Sequence, residues 1–272
     1  MGIEIKNLSI EIENKRILKN INLAIEDGDV VLLIGPNGHG KSTLLKSIMR
    51  HYATTIRDGE IFVDNQKIND MSTDLIAKKG LYLVPQYPVE IPGLQLMELL
   101  RNEASITKEN RVSVIDLYKI VNSKVSELNL NQNLLKRNVN ENFSGGERKK
   151  VEILQMQIIN PKYIMLDEID SGLDIDAINS ITNILVNEKK QGKTIIFISH
   201  NEKMVEILRP NKVVLIIDGA VVEVGDLNLA HKIAKIGYKE YAKNKGIQLD
   251  LENSSDDFLK STNKGFNCGS NQ

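Results

Sequence analysis

Gly35-Pro36-Asn37-Gly38-His39-Gly40-Lys41-Ser42 is the stretch on which the reading turns. A glycine, four residues and then Gly-Lys-Ser is the spacing of a phosphate-binding P-loop. Its surroundings fit. Val30–Ile34 before it is a continuous apolar run, as expected of a strand buried on both faces, and residues 41–50 after it carry a helical pattern. The glycines let backbone N–H groups converge on phosphate oxygens, and the helix that follows offers the positive end of its dipole. Lys41 is expected to reach the β- and γ-phosphates and Ser42 to ligate Mg²⁺, with Thr43 grouped beside them as nucleotide-binding. The competing reading, a chance match in a structural turn, is weakened by the strand and helix in place.

Outward from the loop, Tyr163–Leu166, Thr194–Ile198 and Val213–Ile217 are further buried-strand runs. Helical patterns near 147–159 and 175–190 lie between them, which predicts a parallel sheet in an α/β layer. Leu8–Ile12 and Ile21–Ile25 alternate at period two and predict half-exposed antiparallel strands. Residues 93–142 show no convincing buried strand. Met97, Leu99 and Leu100, then Val112, Ile115, Leu117, Ile120, Val121, Val125 and Leu128, recur at helical spacing, and Pro85, Pro88 and Pro92 punctuate the approach. The expectation is one α/β domain over 1–248 with a helical subdomain inserted at about 87–160. A helix is expected over 226–246, with Leu227, Leu229, Ile233, Ile236, Tyr238 and Tyr241 as its apolar side chains. The polar composition of 249–272 predicts a tail that does not fold.

Tyr163-Ile164-Met165-Leu166-Asp167-Glu168 is an apolar strand ending in two acids. At the carboxyl end of a parallel strand these sit beside the P-loop. Asp167 is suited to hold Mg²⁺, directly or through water, and Glu168 to accept a proton from an attacking water. A carboxylate committed to a metal is a poor base, so the two roles belong on two residues. The bland alternative is that both acids cap the next turn.

Composition excludes several classes. The chain has 272 residues, is 41% hydrophobic and 26% charged, and carries 35 basic against 36 acidic residues for a net charge of −1. That is an ordinary globular composition, long enough for a substantial core, without the basic footprint of a general nucleic-acid binder. The lone Cys268 cannot form an intramolecular disulfide. The scattered His39, His51, His200 and His231 argue against a tightly held structural metal. No apolar run approaches the ~20 residues of a membrane helix. The first residues already alternate as a strand, not as a signal peptide, and Lys6 breaks a myristoylation pattern. A reducing cytosol is the expected home, either bacterial cytoplasm or the stroma of an organelle that encodes its own component.

Phe143-Ser144-Gly145-Gly146-Glu147 precedes a helical run, with Ser144 as a plausible N-cap. Taken with the P-loop, it resembles the signature motif of ATP-binding-cassette (ABC) ATPases, over roughly residues 1–248. Other pieces follow in that family's order. Gln86 after Leu81–Val84 resembles the Q-loop glutamine, Ser171-Gly172-Leu173-Asp174 the D-loop, and His200 after Thr194–Ile198 the H-loop histidine. The resemblance implies an ATP hydrolase with ATP and Mg²⁺, the metal held by Ser42, Gln86 and Asp167. It implies Glu168, His200 and Gln86 as catalytic, Asp174 as a link across the interface, and head-to-tail self-dimerisation on ATP. In that dimer Ser144, Gly145, Gly146 and Glu147 would cover the nucleotide bound by the other copy. One departure stands out. The family often stacks an aromatic on adenine from the first sheet, near Ile12 here, yet no Phe, Tyr or Trp lies between Met1 and Tyr52.

Gln86-Tyr87-Pro88-Val89-Glu90-Ile91-Pro92-Gly93, the run continuing as Arg148-Lys149-Lys150, and Glu168-Ile169-Asp170-Ser171-Gly172-Leu173-Asp174 look like SufC-type ABC ATPases, the soluble ATPase subunits of SUF iron–sulfur cluster assembly. That resemblance implies the scaffold proteins SufB and SufD as partners, with no nucleic acid and no direct membrane insertion. Tyr87, Val89, Ile91 and Pro92 are then expected to touch the partner, or else to pack locally under the subdomain. Lys149 is expected to pair with Glu168 in the absence of a partner, against the plainer reading of a solvated basic face. A transporter ATPase subunit and an ATP-gated adaptor are the alternatives. The intact Lys41, Asp167, Glu168 and His200 speak against the adaptor.

Overall fold

The computed structural model describes residues 1–107 and 113–246. The chain runs β1 (Gly2–Ile12), β2 (Lys15–Glu26), β3 (Val30–Ile34), α1 (Lys41–Ile48), β4 (Thr55–Val63), β5 (Gln66–Lys67), α2 (Thr73–Lys78), β6 (Leu81–Val84), β7 (Ile91–Gln95), α3 (Leu96–Thr107) and α4 (Val114–Glu127). After a 3-10 turn (Gln132–Lys136) come β8 (Asn138–Val139), α5 (Gly145–Ile159), β9 (Tyr163–Asp167), α6 (Ile175–Lys190), β10 (Thr194–Ile198), α7 (Glu202–Leu208), β11 (Lys212–Ile217), β12 (Ala220–Gly225) and α8 (Leu227–Asn244).

The expected parallel layer is a six-stranded sheet in the order β12-β11-β3-β10-β9-β6, with β12 antiparallel at one edge. A second sheet, antiparallel and ordered β2-β1-β4-β5, forms a β subdomain. Glu13 and Asn14 both have positive φ, and this two-residue turn joins β1 to β2 with Ile12 opposite Lys15. The sheets face each other because β3 has two apolar faces. Val31 and Leu33 join Leu44, Leu45 and Ile48 of α1 and the inner residues of β1 and β2 in one core. Val30, Leu32 and Ile34 face the other way, into the core that carries α3–α8.

The middle of the chain is helical as expected: α3, α4 and α5 enclose Leu100, Leu117, Val121, Val125 and Leu128. Ile115 and Ile120 prove exposed, so the apolar spacing of α4 overstated its buried face. Periodicity also missed the short pairing of β7 with β8. β7 buries none of its residues and contains Pro92, so it lacks an apolar signature. α8 buries Leu229, Ile233, Tyr238 and Tyr241 as its spacing predicted, but Gly237 interrupts it with φ +80°. Val112 and the predicted tail over 249–272 lie outside the described residues.

Candidate active site

The carboxyl ends of four neighbouring strands deliver the polar residues to one place. β10 pairs with β3 and β9, and β6 with β9; Ile198 lies opposite Asp167 and Val84 opposite Leu166. The segments just beyond these strands hold the loop after Ile34, Gln86, Glu168 and His200. This is where parallel α/β sheets place ligands. Asn37, Gly38, Gly40, Lys41, Ser42, Thr43, Gln86 and Glu168 line one cleft of about 330 Å³.

The P-loop is braced by its neighbours in the fold. Gly35 has φ +151°, and a Cβ there would fall 2.0 Å from the Ile216 carbonyl oxygen, so only glycine fits. Gly40 caps α1 with φ 104°, and a Cβ there would lie 2.5 Å from Leu18 Cδ2. His39 Nδ1 accepts the Asp218 N–H at 2.8 Å, and the His39 carbonyl accepts the Gly219 N–H at 3.2 Å. Burial and then the Lys41 charge hold the His39 ring below its ordinary pKa. The β11–β12 turn therefore supports the middle of the loop.

Lys41 is buried at 5% exposure and donates to the carbonyls of Gly35 (2.7 Å) and Pro36 (2.9 Å). Desolvation pushes its pKa down to about 8 against the opposing pull of Glu168 and Asp167. Ser42 Oγ donates to Asp167 Oδ1 at 2.7 Å, so the hydroxyl and carboxylate anticipated as metal ligands already touch. Burial raises the Asp167 pKa, only partly offset by that hydrogen bond. A buried carboxylate of this kind gains from a nearby cation. The oxygen donors of Ser42, Asp167 and Gln86 suit a hard divalent ion such as Mg²⁺.

Glu168 adopts φ +49°, outside the common range for a non-glycine residue. Gln86 Nε2 donates to its Oε2, and His200 Nε2 lies 3.8 Å from its Oε1. His200 holds the Glu168 pKa below the usual carboxylate value, with Lys41 and Lys149 contributing. Lys149 does meet Glu168, but at its backbone and not at its carboxylate. Lys149 Nζ donates to the backbone carbonyl of Glu168 at 3.0 Å and to that of Ser171. With φ at +49° this carbonyl is turned toward α5, while the carboxylate is taken up by Gln86 and His200.

Ser144 caps α5, as its sequence context suggested. Its Oγ accepts the Glu147 N–H at 3.2 Å, and the Glu147 carboxylate accepts the Ser144 N–H at 2.8 Å, a complete capping box. Asp174 caps α6 by accepting the Ala177 N–H at 2.7 Å. Ser144, Gly146, Glu147 and Asp174 line a second cavity of about 310 Å³, which shares no lining residue with the P-loop cleft. Within one chain, then, the structure brings Gln86, Lys41, Ser42, Asp167, Glu168 and His200 together and leaves the signature apart. Two contacts had no signal in the sequence. Arg148 forms an ion pair with Glu90, tying α5 to the run after Gln86, and Tyr238 of α8 reaches Gly35. The glycine before Tyr238 is the nearest thing to a local hint.

Comparison with known proteins agrees with this geometry. Residues 18–171 match the family model described as ABC transporter. A probable ABC transporter ATP-binding protein of Streptococcus pyogenes serotype M18 is 38% identical over 252 residues, covering 92% of this chain and 98% of that protein. A probable ATP-dependent transporter, ycf16, of Antithamnion sp. is 37% identical over 240 residues, 87% of this chain and 96% of its own. Among solved structures, a dimeric ATP-binding cassette in a post-hydrolysis state with ADP and Pi superimposes with a TM-score of 0.72 at 25% identity, over 83% of this chain and 98% of that one. The strand-end cleft, the α/β fold with its β and helical subdomains, and these matches place the chain in the ATP-binding-cassette family, as an ATP hydrolase.

Proposed function

We propose that this cassette is the ATPase subunit of a SUF-type iron–sulfur cluster assembly complex. In this reading it uses Mg-ATP binding, closure of two copies and hydrolysis to change the shape of a SufB–SufD scaffold. One observation supports a protein partner at this place. The run after Gln86 stands out in solvent, with Tyr87 79% and Val89 72% exposed, and it is tied through Glu90–Arg148 to the helix that begins at the signature serine. Large exposed apolar residues grouped on one short segment suit a protein partner. Arg148 is adjacent to Lys149, whose amine holds the Glu168 and Ser171 carbonyls. A partner seated on Tyr87 and Val89 thus has a two-residue path to the backbone that sets Glu168.

The chemistry follows from residues already in place. Lys41 leaves the Gly35 and Pro36 carbonyls for the β- and γ-phosphates, exchanging neutral acceptors for charged ones. Ser42 and Asp167, with Gln86, would hold Mg²⁺, which when bound would supply charge neutralisation on the phosphates. Glu168, kept ionised beside His200, accepts the proton of the water that attacks the γ-phosphorus. His200 steadies the charge that develops on the phosphoryl oxygens. The separation of the P-loop cleft from the cavity at Ser144 and Asp174 supports completion of each site by a second copy. The dimeric cassette with ADP and Pi offers a precedent for such a pair.

The test is co-purification. Wild-type protein should bring down SufB and SufD, and Tyr87→Asp with Ile91→Asp should lose them while keeping the fold. Unchanged capture would refute the assigned surface. The transporter reading draws on the names of the relatives, probable ABC transporter and ATP-dependent transporter proteins. Among the described residues no helix is long and apolar enough to cross a membrane, so a transporter role would need membrane-spanning partner chains. Their recovery in the pull-down, in place of the scaffold proteins, would favour it. The SUF reading places the protein in bacterial cytoplasm or an organelle stroma.

A further inference from the structure

α8 packs beyond the sheet, far in sequence from the nucleotide loop, yet one of its side chains enters that loop's first turn. Tyr238 is 6% exposed, and its hydroxyl oxygen accepts the Gly35 N–H at 3.1 Å across 203 residues of sequence. Gly237 makes this possible. Its φ of +80° breaks the helical path just before the tyrosine, and a side chain there would be strained whatever the space around it. On its other side Gly35 lies against Ile216, close enough that no Cβ fits. The Gly35 carbonyl in turn receives Lys41 Nζ at 2.7 Å. One residue thus links the hydroxyl, the core strand β11 and the phosphate-binding lysine.

We propose that Tyr238 is a positioning residue for nucleotide binding, fixing Gly35 so that the P-loop is set in its receptive geometry before ATP arrives. The physical basis is preorganisation. A buried N–H without a partner is costly, so a loop lacking this acceptor shifts to find another, and ATP must then restore the original shape at the expense of affinity. Tyr238 touches neither phosphate nor water in this account. The inference rests on ATP binding at the P-loop and not on any scaffold partner. Lys41→Ala tests that binding separately.

Tyr238→Phe is the decisive variant, because it keeps the ring and removes only the oxygen. KM for ATP should rise about tenfold, the scale of one unmatched buried N–H, and the Kd of ADP measured by calorimetry should rise in parallel. Most of the loss in kcat/KM should appear in KM. A hydroxyl that served folding alone would lower the active fraction and hence apparent kcat, leaving KM and Kd where they were; that result overturns the proposal. Should the variant fail to fold, amide exchange in ¹⁵N-glycine-labelled wild-type protein decides. Gly35 should exchange far more slowly than the exposed Gly93, and equally fast exchange at both would overturn the assignment.

Discussion

Glu168 is held by its backbone and its side chain in different directions. The left-handed φ, the Lys149 contact on its carbonyl and the Gln86 contact on its carboxylate set the group that the proposed chemistry needs. Glu168→Gln should lower turnover by roughly 10²–10⁴, the range for a lost general base, while ATP stays bound. Steady-state hydrolysis beside nucleotide retention on a filter checks both halves. Gly35→Ala should behave differently. Its Cβ would have to sit 2.0 Å from a backbone oxygen of β11, so the loop moves and ATP binding is lost along with hydrolysis. Binding that survives Gly35→Ala would show that the loop yields more than its packing suggests. At the base end, no Phe, Tyr or Trp lies between Met1 and Tyr52 to stack on adenine from β1 or β2. ATP should therefore be preferred over GTP by less than about a hundredfold, near 2.7 kcal/mol. Competition binding measures the ratio.

At the scale of elements, the N-terminus of α5 does three things within six residues. Ser144 and Glu147 close the capping box, Arg148 reaches Glu90, and Lys149 reaches the loop after β9. Ser144→Ala should therefore cost about 1 kcal/mol of stability from the cap alone, apart from any effect on a neighbouring copy. Urea unfolding of the isolated protein reads that cost. α5 also meets α3 over a pair of buried carboxyl groups. Burial pushes Glu103 up to about 8, with the Glu152 charge adding to it, and burial pushes Glu152 up to about 7 against hydrogen bonds that lower it, Asn140's first. Both values lie above the ordinary 4.5 of an unfolded chain, so the folded state holds these protons more tightly. Their stabilising contribution is complete below about pH 4.5 and is lost as pH rises through 7 and 8. The melting temperature should fall between pH 5 and pH 8.5. Glu103→Gln should flatten that slope, and a slope that persists in the variant would place its origin elsewhere.

For the whole molecule, the feature that bears on the proposed closure is that the P-loop cleft and the cavity at Ser144 are separate on one chain. The P-loop cleft and the cavity at Ser144 and Asp174 share no residue, so a second copy is the economical way to bring a serine-capped helix to a bound triphosphate. Glu168→Gln loaded with Mg-ATP should shift from monomer to dimer in light scattering, and Mg-ADP should not produce the shift. A variant that stays monomeric at saturating ATP, even with the proposed scaffold present, would remove the basis for closure. Under the proposed function ATP would act by its differential affinity for the closed pair, and binding would then drive a shape change in a partner.

Local pattern made much of this protein legible. The P-loop spacing, the apolar runs of β3, β9, β10 and β11, the period-two strands of the β subdomain, and the serine before a helix are each set by residues near in sequence. Steric limits and hydrogen bonding act at that range. The same physics explains what was not legible. α2 and α7 are too short for periodicity to mark, and β7 carries no apolar stripe. Lys149 finds backbone carbonyls, and every residue has one, so composition cannot single out its partner. The sequence alone determined the fold class and the set of polar residues available for phosphate chemistry. Only the tertiary structure decided which of them touch, that Glu168 is engaged by Gln86 and His200, and that a tyrosine 203 residues downstream supports Gly35. Those contacts depend on where strands end once the sheet has assembled, a property of packing between distant segments.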